Sequence, residues 1–330
     1  MAGVVKVLSI DGGGIRGIIP ASVLAEIERR MDAPIAEKFD LIAGTSTGGI
    51  IALGLARPGT DGKPAHSAQD LVELYKSEGK KIFSHSIWHQ MRAVGNALEE
   101  KYEASAIESV LKEYLGETRL KDALTEVLVP AYEIEDRIPW FFSSRKAMAN
   151  DDYDYAMWQV GRATSAAPTY FEPARIPAKT ERGYWALVDG GVFANNPAMC
   201  GLAEVISNFR DEHPGEDPEV MVVSLGTGEL TRPIEYDQAK HWGLLGWAHP
   251  ILSVVFDGVS KTVDFEVAQL CRAQKGQPER YYRLQVSLAE YGNDDLDDAS
   301  GTNLAALERH ARELIKRESK KLDAICAALG

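Results

Sequence analysis

Three glycine-bearing stretches carry groups that could do chemistry. The first is Asp11-Gly12-Gly13-Gly14-Ile15-Arg16-Gly17. Successive glycines leave backbone N–H groups unshielded, and a following helix would turn its positive end toward them, so the loop suits an anion. Gly12, Gly14 and Gly17 also fit G-x-G-x-x-G, the dinucleotide pattern. That pattern wants an acidic residue at the end of the second strand, where this chain has Gly44-Thr45-Ser46. The second stretch, Gly44-Thr45-Ser46-Thr47-Gly48-Gly49, matches G-x-S-x-G, a sharp strand-to-helix turn that presents a serine hydroxyl at a helix N-terminus. Ser46 is therefore a candidate nucleophile, and N–H groups of Gly12, Gly13 and Gly14 could stabilise the oxyanion of a tetrahedral intermediate. The third, Asp189-Gly190-Gly191, sets a carboxylate at a glycine turn where a strand ends.

A serine hydroxyl needs a base. The seven histidines, His66, His85, His89, His213, His241, His249 and His310, are scattered, and none lies in a strand-end motif. His241 and His249 follow Asp189 and so fit the Ser, Asp, His order of an α/β-hydrolase. That fold builds several strands before its nucleophile, whereas Ser46 follows only the second one here. Asp189 offers a base without histidine. Each stretch also has a simpler explanation: a ligand-free tight turn, an N-capping serine, and a turn aspartate. Ile10 to Gly14 is in addition similar to the first phosphate loop of actin-like sugar kinases, a reading that leaves Ser46 without a role.

The elements that would position these groups alternate between short β-rich runs and longer helical stretches, which predicts parallel strands with crossover helices. Strands are expected at Val4–Ile10, Phe39–Ala43, Val127–Ile134, Trp140–Ser143, Trp185–Val188, Val220–Leu225 and Tyr281–Leu288. Helices are expected at Pro20–Met31, Gly48–Ala56, across much of Ala68 to Leu115, and at Tyr155–Ala166, with Pro197 opening another. Arg57 to Lys63 reads as a loop. Leu304, Leu307, Leu314, Leu322, Ile325 and Leu329 recur at helical spacing, which predicts one amphipathic helix over about 303–329. There is no internal repeat and no linker, so residues 1–330 read as a single domain.

Composition narrows the function classes. The net charge of −13 works against nucleic acid, and no Lys/Arg cluster offsets it. The same sign disfavours purely electrostatic docking on anionic lipid, so membrane contact would need apolar insertion. Cys200, Cys271 and Cys326 form no CxxC pair, which suggests neither a disulfide framework nor zinc and fits a reducing, cytoplasmic setting. The N-terminal apolar run is too short for a signal segment, and Trp242 to Phe256 is too short and too broken to span a membrane. The acidic run Asp294, Asp295, Asp297 and Asp298 lacks EF-hand spacing, so no metal is assigned.

Taken together, the chain resembles the patatin-like phospholipases. The three stretches occur in the family's order, and Ala163-Thr164-Ser165-Ala166-Ala167-Pro168-Thr169-Tyr170-Phe171, Asn195-Asn196-Pro197, Ser224-Leu225-Gly226-Thr227-Gly228 and Asp297-Asp298-Ala299-Ser300 with Asn303-Leu304 are similar to further family segments. The resemblance implies a patatin-like three-layer α/β sandwich with a mostly parallel central sheet and helices on both faces. It implies a lipid acyl hydrolase of phospholipase A or lysophospholipase type that cleaves membrane lipid or lysolipid esters through an acyl-enzyme, without metal or cofactor. On that basis Ser46 is the nucleophile and Asp189 the base, Gly12, Gly13, Gly14 and Arg16 form the oxyanion loop, and Gly44, Gly48, Gly190 and Gly191 support the turns. A latent or signal-activated effector, or a storage protein, would keep the same residues. Lys81–Tyr102 and Thr231–Gly276 match the family less clearly. Two apolar regions could bring the protein peripherally to a membrane: Ile87, Trp88, Met91, Val94 and Leu98, and Trp242, Leu244, Leu245, Trp247, Ile251 and Leu252. Core packing is the default explanation for both.

Overall fold

The computed structural model describes residues 3–83, 104–229, 234–247, 250–273, 276–289 and 295–330. The stripe Ile87, Trp88, Met91, Val94 and Leu98, together with His85, His89, His249 and Asp294, lies outside them. One sheet holds eight strands: β1 (Val5–Ile10), β2 (Leu41–Gly44), β3 (Glu126–Glu133), β4 (Ile138–Ser143), β5 (Ala174–Pro177), β6 (Tyr184–Asp189), β7 (Val220–Leu225) and β8 (Tyr281–Leu284). Their order is β5-β6-β3-β2-β1-β7-β8, with β4 also paired to β3.

The strand β1 carries Val5, Val7, Leu8 and Ile10 because both of its faces are covered, as parallel strands require. Leu8 and Ile10 face one apolar cluster, to which α1 (Ile18–Met31), α2 (Thr47–Ala56), α3 (Ala68–Phe83), α4 (Ala104–Leu115) and α5 (Met157–Thr164) contribute. Val7 faces the other, built with α6 (Ala198–Glu212) and α7 (Pro250–Leu270). Helices α8 (Gly301–Arg317) and α9 (Ser319–Leu329) complete the first layer. The result is the expected α/β sandwich with a mostly parallel sheet and helices on both faces.

Three expectations need correction. The predicted helix over 303–329 is two helices, because the apolar stripe Leu307, Leu314, Leu322 would carry Glu318 along the buried side of a continuous helix. The break falls at Glu318, whose N–H caps Leu314 at 2.9 Å. Ile251 and Leu252, expected in a glycine-broken segment with Trp242, lie in the continuous helix α7, which runs on through Gly258; packing of Val263 and Val267 offsets the roughly 1 kcal/mol that an interior glycine costs. Strands are parallel at β1–β2, β1–β7, β2–β3 and β7–β8, but β4, β5 and β6 run antiparallel to their partners. Alternation of strands and helices predicts parallel crossovers and carries no sign of this reversal.

The reversal positions the site. Leu128 of β3 pairs with β2 on one side and β4 on the other, and Ala131 to Glu133 pair with both β4 and β6. Hence β2 and β6 lie on the same edge of β3 and point at each other, so that the carboxyl end of β2 meets the carboxyl end of β6 beside Pro130.

Candidate active site

At the end of β2 the chain turns sharply into α2. Ser46, at the corner, has φ 55° and ψ −122°, a conformation that non-glycine residues rarely adopt and that costs about 1–3 kcal/mol. The surroundings hold it there. Thr45 N–H bonds Ile10 carbonyl at 3.2 Å, Thr45 Oγ1 donates to Ala194 carbonyl at 2.6 Å, and Gly48 N–H closes on Thr45 carbonyl at 2.8 Å. Ser46 N–H donates to Thr164 Oγ1 at 2.9 Å. A Cβ on Gly44 would overlap the Gly48 carbonyl, and one on Gly48 would overlap the Ile10 carbonyl, which is why both positions are glycine. All ten residues of α2 are buried, so its positive end acts on Ser46 with little screening by water.

Asp189 arrives from the opposite direction at the end of β6. Asp189 is 4% exposed, and its Oδ1 accepts Gly191 N–H at 2.7 Å. Burial pushes this carboxyl up to about 7, against the opposing pull of the Ser46 hydroxyl and the Gly191 N–H. Gly190 must lack a side chain because a Cβ there would overlap the Pro130 carbonyl. Among the described residues, no histidine is among the groups acting on Asp189. His66 lies with Arg57 and the Tyr114 carbonyl, and His213 stacks on Phe209 at 4.4 Å.

The glycine loop closes over Ser46, whose Cβ would lie 3.3 Å from a Cβ built on Gly12. Its N–H groups are not equivalent. Gly12 N–H, expected to serve an oxyanion, donates to the Asn195 carbonyl at 2.9 Å. Among the described residues, no acceptor takes the N–H of Gly13 or of Gly14. Gly14 has φ 56° and faces the Leu296 carbonyl, which accepts Ile15 N–H at 2.9 Å. Arg16 Nε bonds the Gly13 carbonyl at 3.3 Å and thus braces the loop. Thr227 Oγ1 donates to Gly12 carbonyl at 2.7 Å.

Asp11 plays a part the sequence did not suggest. Arg283 grips it bidentately, Nη1 to Oδ1 at 2.9 Å and Nη2 to Oδ2 at 2.6 Å, and also reaches Ser224 Oγ at 2.8 Å. The buried aspartate in turn holds Arg283 firmly protonated, and the pair anchors the start of the loop. With both oxygens engaged, the kinase-type reading lacks its metal-binding carboxylate. Thr164, Asn195 and Thr227 sat in the noted family-like segments without an assigned role; Arg283, a lone arginine on β8, carried no signal. Among the described residues no three His, Cys, Asp or Glu side chains gather as a metal site, and no helix is long and apolar enough to cross a membrane.

The family model for patatin-like phospholipase matches residues 8–200. Patatin-like protein 4 of Arabidopsis thaliana is 32% identical over 334 residues, covering 94% of this chain and 83% of that protein. A potato (Solanum tuberosum) protein named probable inactive patatin-3-Kuras 1 is also 32% identical, over 95% of this chain and 87% of its own length. Among solved structures, VipD from Legionella pneumophila aligns with a TM-score of 0.40 at 12% identity, covering 96% of this chain and 67% of that one. By the family match and by identity over nearly its whole length, this chain belongs to the patatin-like phospholipase family.

Proposed function

We propose that this protein is a lipid acyl hydrolase of phospholipase A or lysophospholipase type, working through a Ser46–Asp189 dyad. The observation that carries the reading is the meeting of β2 and β6 beside Pro130, which sets a strained serine hydroxyl against a buried carboxylate. A carboxylate of ordinary pKa is a weak base toward a hydroxyl; burial brings Asp189 close to neutrality, where it can take a proton and return it.

In the first half-reaction Ser46 Oγ attacks the ester carbonyl as its proton passes to Asp189. The N–H groups of Gly13 and Gly14 stabilise the oxyanion, assisted by the positive end of α2. Collapse expels the alcohol, which receives the proton from Asp189, and leaves an acyl group on Ser46. In the second half-reaction Asp189 deprotonates a water that attacks the acyl-enzyme, releasing the fatty acid and restoring the serine. Esters suit this dyad better than amides because an alcohol leaves with less help from an acid. No step calls for a metal or cofactor.

The assignment covers the whole chain as one domain, since Thr227, Arg283 and Leu296, all beyond residue 200, hold the glycine loop. Cys200, Cys271 and Cys326 are unpaired, which supports a cytoplasmic setting with peripheral access to membrane lipid or lysolipid. The test is incubation with mixed phospholipids and lysophospholipids, identifying products by mass. Wild type should release fatty acid, and Ser46→Ala none; headgroup release with intact acyl chains would overturn the reading.

A further inference from the structure

Ser46 and Asp189 meet at a gap in the sheet. Along one edge of β3, the pairing with β2 ends at Leu128 and the pairing with β6 begins at Ala131, so Val129 and Pro130 lie between the two registers. A buried backbone group left in such a gap needs another partner. Thr164, the last residue of α5 and fully buried, supplies it. Its Oγ1 accepts Ser46 N–H at 2.9 Å and donates to Pro130 carbonyl at 2.6 Å. A hydroxyl can do both at once, which neither a methyl nor an ammonium can. Two residues later the Ala166 carbonyl accepts Asp189 N–H at 3.0 Å. One turn at the end of α5 therefore grips the backbone of both residues.

We infer that Thr164 is a positioning residue for the Ser46–Asp189 pair, its hydroxyl replacing the missing strand across the gap while the Ala166 carbonyl fixes the other member. The inference rests on the dyad reading above. It also gives a role to Ala163–Phe171, a segment that the chemistry itself leaves unused. Thr164 touches neither substrate nor the reacting oxygen; it acts through the Ser46 backbone. Without the hydroxyl, Ser46 N–H loses its hydrogen-bond partner, and the corner at φ 55° can relax toward an ordinary conformation. The Ser46 oxygen would then move relative to Asp189, and a displacement of about 1 Å can cost about 100-fold in rate.

The experiment compares Thr164→Val, which keeps the shape and removes the hydroxyl, with Thr164→Ser, which keeps the hydroxyl and removes the methyl packed against Gly49. Ser165→Ala is the control, since Ser165 Oγ bonds only within the same turn, to Gly161 carbonyl at 2.7 Å and Arg162 carbonyl at 3.5 Å. On a soluble chromogenic ester, Thr164→Val should lower kcat about 10- to 100-fold with KM nearly unchanged, and slow labelling by a serine-reactive phosphonate by a similar factor. Thr164→Ser should recover most of both, and Ser165→Ala should stay near wild type. Thr164→Val with wild-type kcat and labelling, or Thr164→Ser as impaired as Thr164→Val, would overturn the inference. Should Thr164→Val not fold, Thr164→Cys decides in its place, because a thiol fills the space but bonds weakly. Ser46→Ala runs in parallel: activity retained there sinks the dyad reading itself, whatever Thr164 does.

Discussion

Asp189 should make the protein less stable where it makes it active. Its carboxyl moves from the ordinary 3.8 to about 7 on folding because burial disfavours the charged form. Between those two values the folded state binds more protons than the unfolded one, so stability falls as pH rises through that window. At about 1.36 kcal/mol per pH unit, the ionised carboxylate costs about 4 kcal/mol above pH 7, and that cost is absent below pH 4. Asp189→Asn removes it while keeping an Oδ1 that can accept Gly191 N–H. Urea denaturation should therefore show Asp189→Asn more stable than wild type at pH 8, by about 1–4 kcal/mol, with the difference vanishing by pH 4. The same group should govern catalysis. With a neutral chromogenic ester, wild-type kcat/KM should drop about 10-fold per pH unit below 7, reaching about 1% of its plateau at pH 5. A pH-independent stability difference, or a flat kcat/KM from pH 8 to 5, would refute the argument from burial.

Gly14→Val should lose at least about 2.7–4 kcal/mol of transition-state stabilisation in kcat/KM, because a side chain at φ 56° collides with the Leu296 carbonyl and swings an N–H donor away; wild-type turnover in the folded variant would remove that glycine from the mechanism. Arg283→Met should destabilise by about 3–5 kcal/mol in urea melts by leaving Asp11 buried and unpaired, and adding Asp11→Asn should restore much of the loss. An additive double variant would mean the pair is not coupled. His241→Gln should leave kcat and KM near wild type, since His241 is not among the groups acting on Asp189; loss as complete as that of Asp189→Asn would return the protein to a histidine triad.

Much of the site was legible because its constraints are steric and local. A serine at a positive φ between glycines, and a glycine run opening a helix, leave marks in a few adjacent residues. Val220–Leu225 was likewise read from its apolar run. What the sequence hid depends on partners far along the chain. The reversal of β6 follows from pairing with β3 across more than 50 residues, and a strand reads the same in either direction. Gly12 seemed interchangeable with Gly13 and Gly14 until the Asn195 carbonyl claimed its N–H. Asp11 seemed chemical until Arg283, 272 positions away, was found on it. Glu318 sat in phase with a leucine stripe whose continuity suggested one helix rather than two.

On the dyad reading, Ser46 carries the acyl group and Asp189 alone activates it. The most direct measurement is reaction with a serine-reactive phosphonate, followed by peptide mass mapping, on wild type, Ser46→Ala and Asp189→Asn. Wild type should take up one adduct, mapped to Ser46; Ser46→Ala should take up none, and Asp189→Asn should label far more slowly. An adduct on another serine, or labelling of Asp189→Asn at the wild-type rate, would contradict the dyad.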